Sequence, residues 1–201
     1  GEFTSLASPD YDPARARFND GRCDSAGRFW AGTMWEPRDR AGGIVYRLDA
    51  DGRFGAQCNP VIIANGITFA PDGRSMTLAD TTNHVLWAFD YDLVTGIPSS
   101  RRELRSYEPA SGRPDGACVD AEGNVYVAIM AGGRVEKISP TGELLAVIEL
   151  PIPNITCCTF AGDDLRTLYI TTARTRMTDA ELAAHPYAGG LFAWRLPDGD
   201  A

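Results

Sequence analysis

Three oxygen-bearing side chains recur at the head of apolar runs: Asn19 in RFNDGRC, Asn65 in NGITF and Asp115 in PDGACV. Amide and carboxylate oxygens are hard donors, and three of them meeting at one point would suit a hard cation such as Ca2+. Taken singly, Asn-Gly and Asp-Gly are common turn formers. What sets these apart is agreement in phase, with 46 residues from Asn19 to Asn65 and 50 from Asn65 to Asp115. Around the first of them, Arg17 and Asp20 add charge ahead of the aromatic run Phe29-Trp30-Ala31-Gly32-Thr33-Met34, where a polar cluster has little packing value.

Such residues meet only if the fold repeats, and the sequence does. Four stretches, beginning at Asn19, Asn65, Pro114 and Ile155, share one plan: a small polar cluster, an apolar strand, a Gly or Asp turn and a second apolar strand. The turns Gly27, Gly73 and Gly123 lie 46 and 50 residues apart, and the Asp163-Asp164 turn follows after about 41. Hairpins such as GGIVYRLDADGRF and GGRVEKISPTGELLAVIEL fill the intervals, giving about four short strands per period. Four strands in a period of roughly 40 to 50 residues predict an all-β chain folded as a β-propeller. A β-sandwich also shows evenly spaced short strands, but it has no reason to repeat a polar cluster at one phase of every unit. In a propeller the innermost strands line a central channel, so equal phase becomes a shared site. One short helix is predicted over Thr178–His185, with Thr178 as N-cap and Glu181 three residues on.

The totals bound the rest. A chain of 201 residues suits one domain spanning 1–201. Nineteen basic against 27 acidic residues, a net charge of −8, argue against nucleic acid and anionic membranes as partners. No apolar run approaches the roughly 18 residues of a membrane span. The five cysteines form no C-x-x-C pair and sit beside apolar segments, which predicts buried free thiols in a reducing, cytoplasmic compartment. Neither His84 nor His185 accompanies a G-x-S-x-G serine, which argues against a triad hydrolase, and His84 reads as a turn residue. The four tryptophans read as packing between sheets, with Trp35 also a candidate to face a substrate ring.

The ordered series RFNDGRCDSAGRFWAGTM, NGITFAPDGR, FDYDLVTG, RPDGACVDAEGNVYVA, GGRVEKISPTGE and TCCTFAGDDLRTLYITTAR resembles the senescence marker protein, gluconolactonase and luciferin-regenerating-enzyme-like family, which includes the regucalcins. The resemblance implies a six-bladed propeller that binds one divalent cation in its channel, Ca2+ first with Zn2+ or Mn2+ as alternatives. It also implies hydrolysis of small sugar lactones. By motif, Asn65 and Asp115 take the family's Asn and Asp metal positions, and Asp115 is the candidate catalytic residue, as ligand first and general base second. Arg17 and Asn19 match residues that contact substrate or metal-bound water, and Glu36 matches another substrate-side position.

The family's third ligand, a Glu from the N-terminal blade, has no counterpart in this sequence. Six blades need roughly 280 residues, whereas 201 supply a little over four. Gly1-Glu2-Phe3 reads as a cloning remnant, so Glu2 is not a replacement. The expectation is therefore a partial propeller whose cation binding and activity alone are weak. Its open sheet edges favour self-association or a complementary chain. Two other functions remain open at this point: a non-catalytic calcium-binding scaffold, and a phosphotriesterase or other ester hydrolase on the same architecture.

Overall fold

Glycine turns of left-handed φ, +80° at Gly27, +69° at Gly73 and +84° at Gly123, close the hairpins that the period predicts. The computed structural model describes residues 2–58 and 60–197. Its first sheet is a meander of β1 (Ala16–Cys23), β2 (Phe29–Trp35), β3 (Val45–Leu48) and β4 (Phe54–Ala56). The second comprises β5 (Ala64–Phe69), β6 (Ser75–Asp80), β7 (Val85–Asp92) and β8 (Ile97–Ser106). The third comprises β9 (Arg113–Val119), β10 (Val125–Met130), β11 (Arg134–Ile138) and β12 (Leu144–Glu149). The fourth holds β13 (Ile155–Ala161), β14 (Thr167–Thr172) and β15 (Leu191–Arg195). All pairings within sheets are antiparallel.

Neighbouring sheets pack face to face in chain order, through β1 on β5, β5 on β9 and β9 on β13. This is the arrangement of consecutive propeller blades, each giving its first strand to the axis. Three apolar layers hold it together. Trp30, Val45, Ile67, Met76, Leu78 and Phe89 fill the space between the first and second sheets. Leu86, Val127, Ile129 and Ile138 serve between the second and third. Tyr126, Ile148, Ile155, Leu168 and Ile170 serve between the third and fourth. Each buried Ile or Leu contributes about 1.5–3 kcal/mol, so the inter-sheet layers, more than any single hairpin, stabilise the chain. The sheets converge toward the axis, and small residues permit it: a Cβ on Gly116 would lie 2.5 Å from the Cys157 sulfur, and one on Gly32 would collide with the Ala64 Cβ.

A polar knot ties the first sheet to the second beneath this packing. Asp24 is 5% exposed. It accepts from Arg28 Nε at 2.6 Å, Tyr91 Oη at 2.5 Å and Trp30 Nε1 at 3.4 Å. Burial alone would raise its carboxyl, but the hydrogen bonds from Tyr91, Arg28 and Trp30 outweigh burial and hold it below the ordinary 3.8.

Three expectations need correction. The fourth sheet has three strands among the described residues, where the period predicts four. The β14–β15 connection instead carries α1 (Asp179–Ala184), capped as predicted by Thr178 with Glu181 returning a bond of 2.7 Å to the Thr178 amide. Cys23 is exposed and Cys58 and Cys157 are half-buried; only Cys118 and Cys158 are buried thiols. Trp35 is buried against protein, with Nε1 donating to Asp39 at 2.7 Å and the Arg40 guanidinium 4.3 Å over its ring, so it presents no face to a substrate.

Candidate functional site

Every axial strand is interrupted at the same place. The register against the second strand slips between Phe18 and Gly21 in β1, between Asn65 and Thr68 in β5 and between Ile155 and Cys157 in β13. In β9 it slips opposite Val127 and Ile129, between Pro114 and Ala117. An extra residue in one strand of a pair bends that strand and re-aims its side chains, and bulges of this kind gather at functional sites. Asn19 and Asp115 are the first residues inside their bulges; Asn65 is the last paired residue before its own. The phase read from the sequence is thus equal at Asn19 and Asp115 and one residue early at Asn65. Gly66, which follows, accommodates the difference with φ +53°, and a Cβ there would lie 2.9 Å from the Asp115 carbonyl.

The bulges open on a cavity of about 300 Å3, whose lining includes Arg17, Asn19, Asn65, Thr81, His84 and Asp115. Three of these are joined directly. The Asn19 amide nitrogen donates to Asn65 Oδ1 at 2.5 Å and to the Ala64 carbonyl at 2.9 Å. Asn65 Nδ2 donates to Thr81 Oγ1 at 2.8 Å, and Thr81 passes its proton to the Pro114 carbonyl at 2.8 Å. This relay crosses three sheets and fixes the Asn65 carboxamide, because a nitrogen committed to Thr81 leaves the oxygen as the acceptor, bonded by Asn19 and with a second lone pair to offer. Asp80 steadies the approach to Asn65 by accepting from the amides of Ile62 and Ile63 and from Asn83 Nδ2.

Asp115 is half-buried at the centre. Loss of water around it, with the Asp20 carboxylate behind, pushes its carboxyl up to about 7, against the smaller opposing pull of Arg113 and the Gly116 amide. Asp20 is itself raised by burial, although the amides of Ile67 at 3.1 Å and Gly21 at 2.9 Å donate to it. The Asp115 carboxylate and the Asn65 amide oxygen, both in the cavity lining, make a hard-oxygen pair that suits a divalent metal. Among the described residues no three His, Cys, Asp or Glu side chains gather into a metal cluster. Any ion here would therefore rest on amide oxygen as well as carboxylate. Asn65 and Asp115 are the residues that could hold it.

Glu36 lies outside the cavity lining and forms an ion pair with Arg17, both side chains being exposed. It thereby orients the guanidinium at the mouth. Reading the sequence noted Asp20 in the polar cluster without giving it a part in the site, and missed Arg113, which stands two residues before Asp115 just as Arg17 stands two before Asn19. Those signals were available. Arg38 and Arg176 also line the mouth, on loops with no motif.

A family model described as the SMP-30/Gluconolactonase/LRE-like region matches residues 1–174. The chain belongs to this family. A 6-deoxy-6-sulfogluconolactonase from Pseudomonas putida is 46% identical over 192 residues, covering 95% of this chain and 66% of that protein. Regucalcin from Sus scrofa is 39% identical over 193 residues, covering 93% and 64%. The crystal structure of a regucalcin from Agrobacterium tumefaciens, described as a calcium-binding protein, superposes with a TM-score of 0.88 at 31% identity. It is matched over 94% of this chain and 64% of its own. The chain therefore spans about two thirds of the length of these SMP-30 relatives. Among the described residues no helix is long and apolar enough to cross a membrane.

Proposed function

We propose that this chain carries the metal-binding and substrate-binding half of a sugar-lactone hydrolase. The observation that supports it most is the convergence of Asn19, Asn65 and Asp115 from three sheets on one cavity, with the Asp115 carboxyl raised to about 7. A divalent cation held by Asn65 and Asp115, Ca2+ first and Zn2+ or Mn2+ as alternatives, would supply Lewis-acid polarisation of the ring ester. The protein's own groups do the rest. Arg17, braced by Glu36, and Asn19, anchored on Asn65 and Ala64, orient hydroxyls of the sugar. Asp115 is ligand first and general base second, since a carboxylate on a cation is a weak base; in the second role it would take the proton of the water that adds to the carbonyl carbon. The ring C–O bond then breaks, the leaving ring oxygen takes that proton from Asp115, and the product is the open hydroxy acid. Two named relatives, a sulfogluconolactonase and the regucalcins, support this reading.

Acid release from glucono-1,5-lactone, followed by indicator absorbance after chelation and again with Ca2+, Zn2+ or Mn2+ restored, tests it. Hydrolysis above the spontaneous rate should vanish with chelator and return with metal. A rate that never exceeds buffer overturns the hydrolase. Tight Ca2+ binding without turnover would favour a calcium-binding scaffold, the reading that the Agrobacterium regucalcin's description supports.

The first sheet also turns apolar surface outward, with Phe18 42% and Phe29 44% exposed. This supports association with a further sheet, in a second copy or a complementary chain. Light scattering at micromolar concentration should give a mass above 21.7 kDa. A stable monomer excludes self-association.

A further inference from the structure

We infer that the cavity is built for a lactone bearing a second, strongly acidic group, a sulfonate or phosphate remote from the ring ester, and that Arg38, Arg113 and Arg176 receive it. This rests on the lactonase reading above and adds the substrate's charge to it.

The chain is acidic overall, at −8, yet the mouth of this one cavity collects Arg17, Arg38, Arg113 and Arg176. Most arginines elsewhere are engaged: Arg28 on Asp24, Arg47 on Asp49, Arg105 and Arg134 on Glu136, and Arg195 on Asp164. Arg17 is held by Glu36. Among the described residues, the guanidiniums of Arg38, Arg113 and Arg176 form no ion pair and donate no side-chain hydrogen bond to protein. Among the described residues of that lining one carboxylate, Asp115, stands against four guanidiniums, which implies that an anion from outside completes the group.

The three come from different elements. Arg38 stands in the β2–β3 loop, Arg113 opens β9 and Arg176 lies in the β14–β15 loop, so they surround the mouth. Arg38 and Arg176 both have left-handed backbone, at φ +58° and +62°, a conformation that favours Gly or Asn over Arg. Arginines placed there at a conformational cost are better explained by their charge than by local structure. Guanidinium forks match a tetrahedral oxyanion well, because each offers paired donors to its oxygens. Asn65 and Asp115 share this lining with the arginines, so one cavity offers oxygen donors for the ester and guanidiniums for the substituent.

Isothermal titration of the purified chain with three product acids, gluconate, 6-phosphogluconate and 6-deoxy-6-sulfogluconate, tests the assignment. All three carry the C1 carboxylate and differ at C6. At least one six-substituted acid should bind about tenfold or more tighter than gluconate, and the two arms distinguish phosphate from sulfonate. The preference should fall to within about threefold in an Arg38→Gln/Arg176→Gln double variant whose thermal melt matches wild type. Arg113→Lys, which keeps the charge but loses the fork, should retain part of it. Gluconate binding as tightly as both others, a preference that survives the double variant, or no binding of any acid would each overturn the inference. Preference without turnover of any lactone would instead refute the hydrolase and leave the anion site standing.

Discussion

Asp115→Asn should lower kcat/KM for lactone hydrolysis by about a hundred- to a thousandfold, the range for deleting one preorganised electrostatic contact to a reacting oxygen. The substitution keeps the shape of the side chain and removes its charge. It therefore takes away both the ionic donor to a cation and the group that accepts water's proton. The same change should leave the cation-free protein as stable as wild type or more so. The sign follows from the raised carboxyl. A group whose pKa rises from 3.8 to about 7 on folding binds its proton more tightly in the folded chain. Ionising it costs folding free energy, and that cost accumulates between about pH 4 and pH 7 and persists above. Asparagine escapes it. Initial rates with added Ca2+, set beside thermal melts at pH 6 and pH 8, check both halves. A rate within threefold of wild type would remove Asp115 from the chemistry, and a lost melt would make it structural. Activity lost with stability kept is the pattern of a residue retained for function at a cost to the fold.

Asp24→Ala should act in the opposite manner, destabilising the chain by about 3–5 kcal/mol, the usual result of removing one partner from a buried ion pair. Arg28 would keep its charge, with its side chain only 10% exposed, and lose the carboxylate 2.6 Å away. Tyr91 and Trp30 would lose an acceptor at the seam between the first two sheets. Urea unfolding followed by tryptophan fluorescence should show a large fall in midpoint. The wild-type pH dependence carries its own check. A carboxyl held below 3.8 by its partners contributes stability that is complete at neutral pH and lost as pH falls through the folded value. The difference between wild type and Asp24→Ala should therefore narrow in acid, below about pH 4. A variant with an unchanged urea midpoint would show that the inter-sheet apolar layer suffices without the knot.

The two carboxylates show how far residue order alone can be read. Asp24 and Asp115 each lie close to a glycine in a repeated unit, and both invite a turn assignment. That is enough for Asp24, whose turn is local: its Oδ1 accepts from the Ala26 and Arg28 amides. The period that carries Gly27, Gly73 and Gly123 likewise yields the meander sheets, since a tight left-handed turn between apolar runs encodes a hairpin by itself. The capping pair Thr178 and Glu181 gives the one short helix for the same reason. Asp115 differs because its carboxyl is raised by burial first and by Asp20 of another sheet second, and no local turn encodes either. Arg38 and Arg176 are further beyond reach, since left-handed arginines in loops follow no local preference. Trp35 was misjudged through its neighbours: Asp39 and Arg40 cover it on the outer side of the loop.

By itself, then, the order of residues determined the repeated four-strand unit, the family, and the three polar side chains that head the axial strands, because turn chemistry and alternating apolar runs act over a few neighbours. Only the tertiary structure decided that those side chains enter through bulges, with Asn65 one residue out of phase. It also decided that Asp20 acts on the buried Asp115 carboxyl and that four arginines from separate elements share one cavity lining. Charge, desolvation and the aim of a side chain depend on what other sheets bring within a few ångströms, and that proximity is not written in any one stretch of the chain.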